Sequence, residues 1–254
     1  MLNKIIEVKH EEMLQFSLPV QLEVPHFSLY EALRKPNRGL GLIAEVKKAS
    51  PSKGVIREDF HPVKIAEQYV SAKADALSVL TDEQFFHGSK QYLSNIKQVV
   101  NVPILRKDFI VDRRQLLESK YIGADAVLLI GEVLEPLKLK EFYLEATEIG
   151  LECLVEVHSI ETVEALLKEI TPTILGINNR DLSTFKTSVE HTKEIITYLP
   201  KSSLVVSESG IHSYEDLSYV KDVGAHAVLI GEAFMREDDP GKGIERIFGE
   251  GHLV

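Results

Sequence analysis

Short apolar runs alternate along the chain with longer segments that have helical periodicity. The runs that are rich in β-branched residues are 42–47, 76–81, 102–108, 126–131, 152–157, 174–179, 204–209 and 227–232. Segments with a helical period lie between them, among them 62–73, 113–123, 136–150 and 159–170. Strands that alternate with helices are typical of βαβ units in a parallel sheet. The pattern predicts an α/β fold, either a closed (β/α)8 barrel or a doubly wound open sheet, because local pattern cannot show closure.

An internal similarity favours the closed barrel. Residues 123–132, GADAVLLIGE, resemble residues 224–232, GAHAVLIGE, and the two segments contain the fourth and eighth runs. Residues 1–41 precede the repeating units, and we predict a helix over about 2–14 followed by a loop. No linker rich in Pro, Gly or Ser interrupts the chain. We therefore predict a single (β/α)8 TIM-barrel domain over 1–254, with an extra N-terminal helix in 1–41 and the barrel in 42–254.

Polar residues recur at the carboxyl ends of the runs. Side chains alternate between the faces of a strand, so Glu45 and Lys47 share one face while Ala44 and Val46 share the other. The apolar set should face the helices, which points the polar set into the barrel mouth, where barrel enzymes build their active sites. This polar set comprises Glu45, Lys47, Lys107, Glu156, Asn178, Arg180 and Glu208. Any one of them could be a solvated charge at a strand end, but neighbouring cations and carboxylates shift each other's pKa, which suits acid–base chemistry.

Small residues at the ends of the last two runs predict a phosphate site. Ser209 and Gly210 end the seventh run, and Gly231 and Glu232 end the eighth run before a helix start. Small residues let backbone N–H groups approach an anion, and loops after strands seven and eight commonly bind phosphate in barrels. The alternative is that these glycines only form tight turns. We expect Glu232 to offer its N–H with its carboxylate turned away, and the loop 50–54 to be mobile and to reach the ligand.

Composition and motif spacing argue against several classes of binding protein. The formal net charge is −10, which disfavours non-specific binding to nucleic acid or to an anionic membrane. The single cysteine, Cys153, cannot form an internal disulfide, and the N-terminus does not resemble a signal peptide, so we expect a cytoplasmic protein. The histidines and Cys153 have no metal-binding spacing, so we expect no metal; His158 is interpreted as a strand-end residue and Cys153 as a core residue. The GLGLIA segment at 39–44 precedes its strand, which argues against a dinucleotide site.

Six motifs in order resemble the indole-3-glycerol-phosphate synthase family of tryptophan biosynthesis. They are IAEVKKASPSKG, ILRKDFI, LVEVH, GINNRDL, SESGI and LIGEAFMR, and they extend over about residues 42–236. The resemblance implies a lyase that converts 1-(2-carboxyphenylamino)-1-deoxyribulose 5-phosphate to indole-3-glycerol phosphate, with loss of CO2 and water and without a cofactor. It also implies a small phosphorylated substrate as the only partner, and we expect a monomer or a weak oligomer. Because the chain ends after its eighth unit, we expect no fusion to the next isomerase of the pathway.

Residue roles follow from the same resemblance. Lys107 matches the general acid of ring closure, Glu156 matches the acid–base carboxylate of the dehydration, and Lys47 matches the lysine that pairs with the anthranilate carboxylate. Glu45, Asn178 and Glu208 match residues that orient the lysines and the ribulose hydroxyls. The phosphate and loop contacts correspond to Ser50, Arg180, Ser209, Gly210, Gly231 and Glu232, and the apolar ring pocket corresponds to Phe86, Phe109 and Leu128. Some family members have a tryptophan near the ring, and this chain has none.

Two other functions remain open on the sequence. One is a sugar-phosphate isomerase of the same barrel superfamily, although those enzymes use Cys/Asp or Asp/Asp pairs where this chain has Glu45, Lys47 and Glu156. The other is a barrel that only binds a phosphorylated ligand as a sensor. A sensor would not need two lysines and a carboxylate arranged for proton transfer, which favours the enzyme.

Overall fold

Eight parallel strands close into a barrel in the computed structural model, which describes residues 1–181 and 186–249. The strands are β1 (Gly41–Val46), β2 (Ala76–Leu80), β3 (Ile104–Lys107), β4 (Ala126–Ile130), β5 (Glu152–Val157), β6 (Ile174–Asn178), β7 (Leu204–Glu208) and β8 (Ala227–Ile230). Closure is made by β1, which pairs with β2 through Ile43 and Ala76 and with β8 through Gly41 and Ala227. The predicted (β/α)8 barrel is therefore confirmed, and the open sheet is excluded. The predicted end of the barrel at residue 254 lies outside the described residues.

Helices precede, connect and follow the strands, and those that connect successive strands cover the outside of the barrel. They are α1 (Leu2–Glu12), α2 (Leu29–Arg34), α3 (Pro62–Ser71), α4 (Lys90–Lys97), α5 (Arg114–Tyr121), α6 (Pro136–Glu148), α7 (Ile160–Leu167), α8 (Glu190–Ile196), α9 (Tyr214–Asp222), α10 (Glu232–Met235) and α11 (Pro240–Phe248). Ser89, Ser159 and Ser213 cap α4, α7 and α9 by accepting backbone N–H groups. None of the described helices is long and apolar enough to span a membrane.

Alternate strand residues divide the apolar core into two layers. Leu42, Ala44 and Val46 of β1 face outward and pack in the cluster beneath the helices. Ile43 faces inward and packs with residues such as Leu154 in the barrel interior. Both layers are buried, so the side-chain direction assigned from sequence is confirmed, and Glu45 and Lys47 share the inward face with Ile43.

The loop predicted after the first helix contains a second helix, α2, and that part of the prediction was wrong. Leu29 and Leu33 of α2 are buried against the inward-facing residues at the amino ends of the strands. Ser28 caps this helix, and its hydroxyl donates to Oε1 of Glu152 over 2.6 Å. With only six residues, α2 is too short for its periodicity to be recognised. It closes the end of the barrel opposite the candidate site.

The first helix agrees with its prediction and lies at the other end of the barrel. α1 ends at Glu12 and is followed by a 3-10 turn, Met13–Gln15. Lys9 is buried, and its Nζ lies 2.8 Å from Oδ2 of Asp82 and 3.0 Å from Oδ1 of Asp108. These ion pairs fix α1 beside the carboxyl ends of β2 and β3, so that its residues can form part of a site at the barrel mouth.

Candidate active site

Lys107, the last residue of β3, lies at the centre of a buried charge cluster. Its Nζ donates to Oε2 of Glu156 over 2.7 Å and to Oε2 of Glu208 over 2.9 Å. The side chains of Glu156 and Glu208 are only 5% and 1% exposed, so water screens these charges weakly. One ammonium group is thus held between the carboxyl groups of Glu156 on β5 and Glu208 on β7.

The cluster perturbs the pKa of each of its members. Burial alone would lower the pKa of Lys107, but attraction to Glu156, Glu208 and Glu45 outweighs burial and raises that pKa. Burial and the negative charge of Glu156 raise the pKa of Glu208 well above its ordinary value, despite the neighbouring Lys107. Burial also acts on Glu156, but Lys107 and His158 reverse the effect and lower its pKa. The two carboxyl groups therefore differ in proton affinity, which suits them to different steps of an acid–base reaction.

The positions of these side chains follow from barrel geometry. Glu45, Lys107, Glu156 and Glu208 come from β1, β3, β5 and β7, the alternate strands that contribute one interior layer of a barrel. On β6, between β5 and β7, the residue paired with Glu156 is Gly176. A β-carbon at Gly176 would collide with the carboxylate of Glu208, so glycine provides the space for that group.

A second ion pair lies beside the first. Nζ of Lys47 donates to Oε1 of Glu45 over 2.5 Å. A β-carbon at Gly231 would approach the same Oε1 atom to 2.6 Å, which gives this glycine a steric role in addition to any turn that it forms. Lys47 is thereby oriented into the cavity next to the Lys107 cluster.

Ser209, Gly210 and Arg180 line the cavity predicted to bind phosphate. Ser209 and Gly210 have positive φ angles of 69° and 80°, which turn the chain sharply after β7. Arg180 donates from NH1 to Oγ of Ser52 over 2.7 Å, and its backbone N–H donates to Oδ1 of Asn178 over 3.0 Å. The cavity between these groups is also lined by Lys53, Gly231 and Glu232.

The carboxylate of Glu232, which lines this cavity, is hydrogen-bonded to an arginine. Its Oε1 accepts from Nε and NH2 of Arg236 over 3.0 and 2.8 Å. Burial raises the pKa of Glu232, but the bonded guanidinium group outweighs burial and lowers that pKa. The carboxylate of Glu232 is therefore paired with Arg236, the residue that follows α10.

Apolar side chains form the wall of the cavity opposite the phosphate site. The rings of Phe86 and Phe109 have centroids 6.2 Å apart, and Leu128 lies in the same wall. The N-terminal helix adds Met1, Leu2 and Ile5 to it. An aromatic ring placed here would be within the same cavity as Lys47, Lys107 and Glu156.

All the residues predicted for the site line these two adjoining cavities. The family model described as indole-3-glycerol phosphate synthase matches residues 2–247 of the chain. The chain belongs to the indole-3-glycerol phosphate synthase family.

Relatives and a solved structure agree with this assignment. The chain is 61% identical over 250 residues to the indole-3-glycerol phosphate synthase of Priestia megaterium, covering 98% of both chains. It is 55% identical over 249 residues to the indole-3-glycerol phosphate synthase of Halalkalibacterium halodurans, covering 98% of this chain and 97% of that one. A chain of the tryptophan synthase complex from Pyrococcus furiosus matches with a TM-score of 0.61 at 16% identity, over 82% of this chain and 98% of that chain. The last similarity supports the barrel fold alone.

Sequence reasoning did not single out several residues that line the two cavities. His158 was interpreted only as a strand-end residue, yet it lies in the cavity wall and bonds to Glu132. Ser52 and Lys53, which line the phosphate cavity, belong to the loop 50–54 that was expected to reach the ligand, but neither was singled out. The signal for the α1 contribution was Lys9, which shares a helix face with Leu2, Ile5 and Met13 at helical spacing.

Proposed function

We propose that this chain catalyses the closure of 1-(2-carboxyphenylamino)-1-deoxyribulose 5-phosphate to indole-3-glycerol phosphate, with Lys107 as the general acid. The chain's membership of the indole-3-glycerol phosphate synthase family supports the reaction. The observation that carries the residue assignment is the ammonium group of Lys107 between Glu156 and Glu208 at the barrel mouth.

Ring closure needs a proton donor at the substrate carbonyl. When the arene carbon that bears the carboxylate attacks the carbonyl carbon, negative charge develops on the carbonyl oxygen. Attraction to Glu156 and its neighbouring glutamates holds Lys107 protonated, and its Nζ faces the cavity from the end of β3. Transfer of its proton to that oxygen gives a hydroxyl group, and loss of CO2 then restores the aromatic ring.

Dehydration needs an acid for the departing hydroxyl group and a base for a ring proton. Glu156, ionised next to Lys107, can accept the proton from the carbon next to the nitrogen. Glu208 keeps its proton to a higher pH than an ordinary carboxyl group, so it can give that proton to the departing hydroxyl group and regain one from its neighbour Glu156. We assign Glu156 the acid–base role in this step, and Glu208, Glu45 and Asn178 also orient the lysines and the ribulose hydroxyls.

The substrate is oriented by an apolar wall at one end of the site and by the phosphate cavity at the other. The aromatic ring is assigned to the wall of Phe86, Phe109 and Leu128, where Lys47 can pair with the anthranilate carboxylate. The phosphate is assigned to the cavity bounded by Ser50, Arg180, Ser209, Gly210, Gly231 and Glu232. A monomeric or weakly oligomeric state and a cytoplasmic location complete the proposal.

The direct experiment is to incubate the protein with the carboxyphenylamino-deoxyribulose phosphate and to follow indole fluorescence. Formation of the indole product with release of one CO2 supports the reaction. An isomerised sugar phosphate that keeps its carboxylate would indicate an isomerase, and binding without turnover would indicate a sensor. The family match and the relatives' names do not favour either of these alternatives.

A further inference from the structure

His158 follows β5 immediately after the strand that carries Glu156, and Glu132 holds it at two points. The backbone N–H of His158 donates to Oε1 of Glu132 over 2.8 Å, and its Nδ1 lies 2.9 Å from Oε2 of the same carboxylate. An ionised carboxylate only accepts hydrogen bonds, so Nδ1 carries a proton. The ring orientation is therefore fixed, with Nε2 as the free end.

Nε2 of His158 faces Glu156, one of the two glutamates bonded to Lys107. Nε2 of His158 is 3.6 Å from Oε1 of Glu156, while Oε2 of Glu156 accepts from Lys107. Nε2 is buried and has no hydrogen-bond partner among the described residues, and the ring lines the active-site cavity. Glu156 thus lies between Lys107 and His158, with one oxygen atom facing each.

The proposed reaction consumes one proton in every turnover. The substrate carboxylate leaves as neutral CO2 and its electron pair stays on the ring, so the oxygen protonated by Lys107 takes up one net proton. The loss of water consumes no net proton, because the departing hydroxyl group takes up one proton and the ring carbon next to the nitrogen releases one. Proton exchange among Lys107, Glu156 and Glu208, which are largely buried, cannot replace a proton consumed by the net reaction, so that proton must come from outside their cluster.

We propose that His158 is the proton reservoir that recharges Lys107 through Glu156. The imidazolium gives its Nε2 proton to Glu156, and Glu156 passes that proton to the neutral Lys107 amine. The remaining imidazole still donates from Nδ1 to Glu132, and Nε2 takes a new proton from water between turnovers. His158 acts through Glu156, so it is a positioning and proton-supplying residue for the reaction proposed above, on which this inference rests.

The surrounding charges favour the protonated imidazole. Burial would lower the pKa of His158, but Glu132, Glu156 and Glu208 outweigh burial and raise that pKa. The group facing it from α8 is His191, whose Nε2 lies 2.8 Å from the backbone oxygen of His158. Lys107 lies beyond Glu156. The side chains of Glu132 and Glu156, next to the ring, are only 16% and 5% exposed, so water weakly screens the charges that favour the imidazolium.

The variant His158→Asn tests the loss of the Nε2 proton while keeping the contact between residue 158 and Glu132. The asparagine amide can still donate to Glu132 in place of Nδ1, but it places no atom at Nε2. Lys107 starts protonated, so the first turnover should run within about twofold of the wild-type rate. Later turnovers should be slower by about tenfold, less than for loss of a direct general acid because water partly replaces the ring. Rapid-quench indole measurement should therefore show a burst of one equivalent, and added imidazole should accelerate the slow phase.

Two further variants complete the experiment. Glu132→Gln removes the charge that stabilises the imidazolium and should slow only the later turnovers as well, which covers the case that His158→Asn does not fold. The matched control is His191→Gln, which alters a contact to the same backbone oxygen without reaching the cavity, and its steady rate should stay within about twofold of wild type.

The inference is overturned if His158→Asn keeps the wild-type steady rate. It is also overturned if the first turnover slows as much as the later ones and imidazole has no effect, since that pattern indicates a structural role. A wild-type protein that forms no indole would overturn the proposed function itself, which is a distinguishable result.

Discussion

Nζ of Lys9 lies 3.0 Å from Oδ1 of Asp108, the residue that directly follows Lys107. This ion pair joins the N-terminal helix to the strand end that carries the proposed general acid. Both side chains are almost fully buried, and attraction to Lys9 and Arg106 lowers the pKa of Asp108 against the effect of burial. The ion pair therefore holds Met1, Leu2 and Ile5 in the cavity wall and also stabilises the carboxyl end of β3.

Replacing Lys9 by Met should destabilise the protein. The substitution leaves the buried carboxylates of Asp82 and Asp108 without their shared cation, and breaking a buried pair in this way costs about 3–5 kcal/mol of unfolding free energy. Met1, Leu2 and Ile5 should also lose their fixed position in the ring pocket, so KM should rise. Urea unfolding and steady-state kinetics measure the two effects. Lys4→Met, on the exposed side of α1, is the control, and equal stability of the two variants would contradict the prediction.

Lys107→Ala should lower kcat by a factor of about 10² to 10⁴ with a much smaller effect on substrate affinity. The variant lacks the proton that ring closure needs, while the phosphate and ring contacts are unchanged. Indole fluorescence gives kcat, and isothermal titration with a product analogue gives affinity. Lys90→Ala removes a lysine from the surface of α4 and serves as the control. Near-normal turnover by the Lys107 variant would refute its role as the general acid.

Glu156→Gln should separate CO2 release from indole formation. Glutamine keeps the shape and a hydrogen-bond acceptor for Lys107 but loses the ability to take a proton, so dehydration should slow after decarboxylation. Rapid-quench measurement of both products in a single turnover should show CO2 before indole. If CO2 and indole appear together at one reduced rate and the melting temperature falls, Glu156 has only a structural role.

Glu208 should make stability depend on pH in a defined direction. Burial and Glu156 raise the pKa of Glu208 from 4.5 to about 8. The folded state therefore binds this proton more tightly than the unfolded state, so the stabilisation is complete below pH 4.5 and is lost as the pH rises towards about 8. Because glutamine does not titrate, Glu208→Gln should gain stability relative to wild type across that range and reach a plateau above it. Melting temperatures of both proteins from pH 4 to pH 9 test this, and a constant difference would contradict it.

The phosphate site predicts a strong preference for phosphorylated substrate. A substrate analogue without the 5′-phosphate should bind far more weakly, since Arg180 and the backbone N–H groups near Ser209 and Gly231 would lose their anion. Inorganic phosphate should compete with the substrate, and Arg180→Met should weaken that competition. Competition assays measure both effects. Equal binding of the dephosphorylated analogue would place the phosphate elsewhere.

Local pattern predicted most of the barrel and most of the site. A two-residue alternation places Glu45 and Lys47 on the inward face of β1, and the same rule directs Glu156 and Asn178 inward. These predictions need only the covalent geometry of an extended chain. The family motifs then added roles for residues such as Lys107, which the pattern alone could place but not assign.

Contacts between distant segments were decided only by the tertiary structure. The sequence gives no local sign that β1 pairs with β8, that α2 closes the opposite end of the barrel, or that Lys9 meets Asp108. His158 and Glu132 are 26 positions apart and meet only because β4 and β5 are neighbours in the closed barrel. Hydrophobic and alternating patterns act over a few residues, whereas charge pairing in the interior depends on which strands closure brings together. The sequence therefore determined the elements and the direction of their side chains, and the folded barrel determined which of those side chains lie close enough to interact.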